Sequence, residues 1–148
     1  MARQRLGRWS VIGAVALGLA MVTWSAAGSG DPAGRRVAVP GGAYTDIDPA
    51  DLAAMLQHKT FPLINVHIPY EGEIEGTDRF IPFDQIQAHL AELPADRNAR
   101  IVLYCRTGPM SATAARELVK LGYRDVWNLA GGMRAWERSG HPIVQRPH

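Results

Sequence analysis

Apolar residues along this chain fall into short unbroken runs that alternate with helical repeats. Ile101-Val102-Leu103-Tyr104 is the strongest strand signal, and Val126-Trp127-Asn128-Leu129 reads the same way. Phe61-Pro62-Leu63-Ile64-Asn65-Val66-His67 is a third apolar run of the kind buried in a sheet. Between the runs, Leu52, Met55 and Leu56 recur at helical spacing behind Asp48 and Pro49, a capping residue and a favourable first helical residue. Asp84 and Gln87 predict a capping box for a helix bearing Ile86 and Leu90, stopped by Pro94. Ser111 predicts the N-cap of a helix that carries Leu118 and Leu121 and stops at Gly122. Gly131-Gly132 leads into a short helix with Met133 and Trp136 on one face, ended by Gly140 and Pro142. The stretch from Ile68 to Pro82 reads as irregular, with turns at Pro69, Gly72 and Gly76. Short apolar strands alternating with helices predict a single α/β domain, a parallel sheet flanked by helices on both faces.

The first residues break this pattern. Arg3, Arg5 and Arg8 precede an uncharged, mostly apolar stretch from Trp9 to Trp24, and Ser25-Ala26-Ala27 supplies small residues before Gly28. Residues 1–27 therefore read as a signal peptide or as an N-terminal membrane anchor. Both readings keep the arginines on the cytoplasmic side and predict an exported, periplasmic or otherwise extracytoplasmic body; the second attaches it to the membrane through 9–27. Residues 28–43, rich in Gly, Pro and Ala, read as a linker, and 44–148 as the folded domain.

Composition narrows the function classes. With 148 residues, 47% hydrophobic and 20% charged, the chain suits one packed domain rather than a disordered tail. The net charge of +2 includes the three leader arginines, so the body is close to neutral. A near-neutral body lacks the clustered cations that neutralise phosphates, which argues against nucleic-acid binding. Composition leaves the oligomeric state open.

Cys105 is the one cysteine, so the chain forms no internal disulfide and holds no resolving thiol. It stands where a buried strand ends and a helix begins, at the sheet edge where α/β sites form. Loop amides and the positive helix end both favour thiolate, which predicts a thiol pKa below the usual ~8.5. Gly108 permits a positive φ, Arg106 adds a cation, and Pro109 removes one amide from the loop. Thr107 and Met110 offer mainly backbone, and Ser111 backbone or a helix cap. Arg106 has two readings, contact with a substrate anion or a structural ion pair. The loop is expected to be surface-accessible. An inert buried cysteine is the competing reading.

Cys105-Arg106-Thr107-Gly108-Pro109-Met110-Ser111 resembles the active-site loop of the rhodanese family, in which Cys and, three residues later, Gly precede a helix. Leu63-Ile64-Asn65-Val66-His67 is similar to the family's Leu-Ile-Asp-Val-Arg strand, and Gly72-Glu73-Ile74-Glu75-Gly76-Thr77 to its Gly-His-Ile-Pro-Gly-Ala turn. Leu121-Gly122-Tyr123, Val126-Trp127-Asn128-Leu129 and Gly131-Gly132-Met133-Arg134-Ala135-Trp136 look like its closing segment. The likeness runs from about Asp46 to Pro142. It implies a rhodanese-like fold and a sulfurtransferase in which Cys105 takes a sulfane sulfur from a thiosulfate, polysulfide or persulfide donor. The resulting persulfide then passes sulfur to a thiol or cyanide acceptor, with residues 106–111 as the substrate-binding loop and no metal or organic cofactor.

The departures from that pattern shape the expectation. Met110 stands where many members place an Arg that helps to bind an anionic donor. Asn65, His67, Glu73 and Glu75 replace mainly structural family residues, and Glu73, Glu75 and Asp78 make that segment acidic. An acidic segment at the mouth of the site would disfavour small anionic donors. The alternative function is a non-catalytic sulfur carrier or interaction module, favoured by Met110 and Pro109. A phosphatase of related fold is disfavoured, because its loop ends in Arg where this chain has Ser111. His67 reads as a satisfied histidine at a strand end rather than a proton carrier, and Trp127, Met133 and Trp136 as core or site wall.

Overall fold

The computed structural model describes residues 31–146, so the predicted leader over 1–27 lies outside the described residues. Among the described residues, no helix is long and apolar enough to cross a membrane.

Strands β1 (Arg35–Val39), β2 (Gly42–Ile47), β3 (Leu63–Asn65), β4 (Glu73–Ile74), β5 (Arg79–Phe80), β6 (Ile101–Tyr104), β7 (Val126–Leu129) and β8 (Ile143–Val144) alternate with helices α1 (Pro49–Leu56), α2 (Pro109–Lys120) and α3 (Gly132–Arg138). The main sheet has the order β1-β2-β7-β6-β3-β5, and β4 and β8 form a separate antiparallel pair. From β2 to β5 every pairing is parallel, while β1 returns antiparallel along β2. The expected parallel α/β sheet is present.

The unbroken apolar runs of β6 and β7 are buried at every position because both sheet faces are covered. One face carries Ile64, Val66, Leu103, Cys105 and Val126, packed against Ala114, Ala115 and Leu118 of α2. The other carries Val102, Tyr104, Trp127 and Leu129, packed with Leu52 of α1 and with Met133 and Trp136 of α3. Trp127, Met133 and Trp136 are thus core on the face opposite Cys105.

Local chemistry explains the helix starts. Asp48 accepts from the Asp51 amide at 2.8 Å, the Asp51 carboxylate accepts from the Asp48 amide at 3.4 Å, and Pro49 fills the first turn of α1. Three expectations need correction. The segment read as a linker contains β1: Val37 and Val39 pack on the core, and Pro40-Gly41 turns the chain into β2. The Gly and Pro that signalled a linker belong to a hairpin turn. The helix predicted behind Asp84 is a kinked 3₁₀ segment, Gln87–Glu92, without a side-chain cap, and His89 sits outside helical geometry. The irregular stretch from Ile68 to Pro82 contains β4 and β5.

Candidate active site

Cys105 follows the last residue of β6, and its position is fixed from both sides. Asn65 and Tyr104 are register partners, and the Val66 amide donates to the Tyr104 carbonyl at 2.9 Å. On the other side, the amides of Met133 and Arg134 donate to the carbonyls of Cys105 and Arg106 at 2.9 and 3.0 Å. The first turn of α3 therefore grips the start of the loop, using donors that a helix leaves unpaired. Gly132 makes this approach feasible, with φ +55 and its Cα against the Cys105 carbonyl.

The loop turns at Gly108, whose φ of +124 lies in a region that side chains avoid. Its amide donates to the Cys105 sulfur at 3.0 Å. Among the loop amides this is the one hydrogen-bonded to sulfur. Pro109 then begins α2, so Ser111 is the third helical residue rather than the cap predicted from sequence. Pro109 explains the difference, since its fixed φ and missing N–H suit the first helical position. Ser111, released from capping, is fully buried, with its Oγ 3.4 Å from the sulfur and 3.0 Å from the Gly108 carbonyl.

One hydroxyl proton cannot serve both neighbours. With a neutral thiol, Ser111 donates to the Gly108 carbonyl and its oxygen accepts from the S–H. With thiolate, Ser111 donates to sulfur. The Gly108 amide and Ser111 hydroxyl together form a two-donor cradle for anionic sulfur, with one loop amide where several were expected. The sulfur is also less open than expected. Thr107 and Pro109 are exposed, but Cys105 is 1% exposed and belongs to the apolar cluster with Val66 and Ala114. Met110 is half-buried against the same cluster and brings no charge.

Arg106 is held in an ion pair. Its Nη1 lies 3.1 Å from Oε2 of Glu71, and Nε2 of His67 lies 2.7 Å from the same oxygen. His67 is a satisfied, buried histidine, as its sequence position implied. Glu71 escaped the sequence reading, because it lies in an irregular stretch and matches no spacing. Two of the acidic residues noticed there point elsewhere. Glu73 is buried and pairs with Arg146 at 3.0 Å, while Asp78 accepts from Lys59 at 2.5 Å and from the Leu63 amide at 2.7 Å.

The match to the Rhodanese-like domain spans residues 48–139. The chain belongs to the rhodanese-like domain family. A sulfurtransferase of Allochromatium vinosum is 44% identical over 64 residues, covering 43% of this chain and 58% of that protein. The "Probable adenylyltransferase/sulfurtransferase MoeZ" of Mycobacterium tuberculosis is 39% identical over 101 residues, covering 65% of this chain and 25% of that protein. This chain thus spans about three fifths of the length of the first relative and a quarter of the second. Among solved structures, a rhodanese-related protein from Thermoplasma volcanium superposes with a TM-score of 0.58 at 26% identity, covering 68% of this chain and 98% of that one. The rhodanese-like domain here sets a buried sulfur beside the Ser111 hydroxyl, in a loop that also carries an apolar Met110 and an Arg106 paired with Glu71.

Proposed function

We propose that this protein is a sulfurtransferase that carries sulfane sulfur on Cys105. The observation that carries the reading is the Cys105 sulfur at the end of β6, 3.0 Å from the Gly108 amide and 3.4 Å from the Ser111 hydroxyl. Family membership and relatives named sulfurtransferases support it. In the first step the Cys105 thiolate attacks the outer sulfur of a donor such as thiosulfate. A Cys105–S bond forms, the S–S bond of the donor breaks, and sulfite leaves with the bonding pair. In the second step a thiolate or cyanide attacks the outer sulfur of the persulfide, and the Cys105 thiolate returns as leaving group. The Gly108 and Ser111 donors stabilise negative charge on sulfur in both steps. Since the chain holds one cysteine, the acceptor comes from another molecule.

The burial of Cys105 and the uncharged Met110 favour a second reading, a sulfur carrier that loads once and waits for a partner to open the loop. Intact-protein mass spectrometry after exposure to thiosulfate or polysulfide tests the first step. One added sulfur on the native chain and none on Cys105→Ser is the expected result; no loading by any donor refutes both readings. A single burst without sustained turnover in the presence of cyanide or thiol selects the carrier.

We further propose export, with the domain on the extracytoplasmic side, from the arginines at 3, 5 and 8 and the uncharged, mostly apolar stretch that follows them. Expression from the full sequence followed by cell fractionation tests this; a purely cytoplasmic location refutes it.

A further inference from the structure

We propose that Glu71 sets the donor preference of the site by cancelling the charge of Arg106, so that donors of low charge are favoured over the thiosulfate dianion. This rests on the sulfur-transfer reading above. His67 and Arg106 occupy matching places just beyond the ends of neighbouring strands, since Asn65 pairs with Tyr104 in the parallel register of β3 and β6. Glu71 joins the two, its Oε2 3.1 Å from Arg106 Nη1 and 2.7 Å from His67 Nε2. The cation next to the nucleophile in the chain is therefore half of a neutral pair.

The backbone that carries Glu71 is held in place by the chain behind it. β8 pairs with β4, the Gln145 side-chain amide donates to the Glu71 carbonyl at 3.4 Å, and the Arg146 amide donates to the Tyr70 hydroxyl at 3.1 Å. Gly72, at φ +97, lies so close to β8 that a methyl group on it would stand 2.6 Å from Ile143 Cγ2 and from Gln145 Nε2. A strand from the far end of the domain thus fixes the segment that presents Glu71 to Arg106.

Charge at the mouth acts on a donor in proportion to the donor's own charge. Thiosulfate carries two negative charges. Methanethiosulfonate delivers the same sulfane sulfur with one, because a methyl group replaces an oxyanion. The Cys105 thiolate displaces sulfite from the first and methanesulfinate from the second, and the persulfide formed is the same. The leaving groups are the same from variant to variant, so a change in the rate ratio between variants reads the charge of the site. Glu71→Gln keeps the size of the side chain and leaves Arg106 uncompensated. If the monoanion gains roughly threefold, the dianion gains roughly the square of that, about ninefold, at low ionic strength.

The experiment measures single-turnover sulfur loading of Cys105 by mass spectrometry, with both donors, on the native protein, Glu71→Gln, Arg106→Gln and the double variant. The thiosulfate-to-methanethiosulfonate ratio should rise in Glu71→Gln, fall in Arg106→Gln and return towards the native value in the double variant. A ratio that stays flat or falls in Glu71→Gln overturns the proposal while leaving sulfur transfer intact. Should Glu71→Gln fail to fold, an unchanged ratio in Arg106→Gln overturns it equally. Absence of loading from every donor on the native protein removes the sulfur-transfer reading, and this proposal with it.

Discussion

A methyl group placed on Gly132 would stand 2.2 Å from the carbonyl oxygen of Cys105. The first turn of α3 and the nucleophile loop are therefore packed backbone to backbone, with amides of residues 133 and 134 closing on carbonyls of 105 and 106. Gly132→Ala must separate them, and it also strains a φ of +55. The expected cost is more than about 2 kcal/mol of unfolding free energy, with slower loading of Cys105 because the loop loses its anchor. Denaturant unfolding and mass-resolved loading on the same sample check both. A variant of native stability that loads normally would show that the loop does not depend on α3.

Ser111→Ala isolates the cradle. The hydroxyl is buried beside sulfur, and the Gly108 carbonyl it also contacts keeps the Ala112 amide as donor at 3.0 Å. Removing the hydroxyl therefore leaves no strong acceptor unpaired, and stability should change by less than about 1 kcal/mol. Loading should slow roughly tenfold, the worth of one hydrogen bond to an anion in the first step. Stopped loading reactions compared with the native chain decide it; an unchanged rate removes Ser111 from the chemistry.

The sheet was legible because its central strands are short and apolar throughout, and β6 and β7 announced themselves by that alone. α1 was legible down to its cap, because Asp48, Pro49 and Asp51 act locally. β1 was hidden: its strand signal is limited to Val37 and Val39, and its pairing with β2 is a tertiary outcome beside a Gly-rich turn. At the site, Cys105 and the turn at Gly108 could be placed from residue order. The roles of Ser111 and Glu71 could not. Whether Ser111 caps a helix or faces sulfur depends on a cap shifted by three residues, from Ser111 to Gly108. Glu71 meets Arg106 from a segment that β8 pins from the other end of the domain, a tertiary relation with no local signal.

Met110→Arg adds a cation to the first turn of α2 that Glu71 does not already neutralise. Met110 is half-buried, so the long side chain has a route to solvent past the loop. Thiosulfate turnover to cyanide should rise by about threefold or more at low salt, and methanethiosulfonate turnover by less. Steady-state rates with both donors make the comparison. Equal gains, or a loss confined to thiosulfate, would contradict the view that this mouth lacks usable positive charge.

Tyr104 gives the fold a defined alkaline limit. Its hydroxyl accepts from the Ile74 amide at 3.0 Å and lies 2.7 Å from Thr77 Oγ1. Thr77 in turn donates to the Ile74 carbonyl at 2.6 Å, so Tyr104 is the donor to Thr77 and needs its proton to play that part. Burial is the largest influence on this phenol and pushes its pKa above the ordinary value, outweighing its hydrogen-bonded contacts with Thr77 and Ile74. A group raised on folding adds stability that is fully present below its unfolded pKa, about 10, and drains away as pH climbs beyond it. Tyr104→Phe should cost about 1–2 kcal/mol near neutral pH by leaving the Ile74 amide without its side-chain acceptor and Thr77 Oγ1 without its donor. The same variant should lose less stability than the native chain between neutral pH and the strongly alkaline range, because one titrating group is gone. Urea unfolding at a series of pH values tests both parts, and parallel stability curves for the two proteins would mean that the Tyr104 proton does not contribute to the alkaline loss.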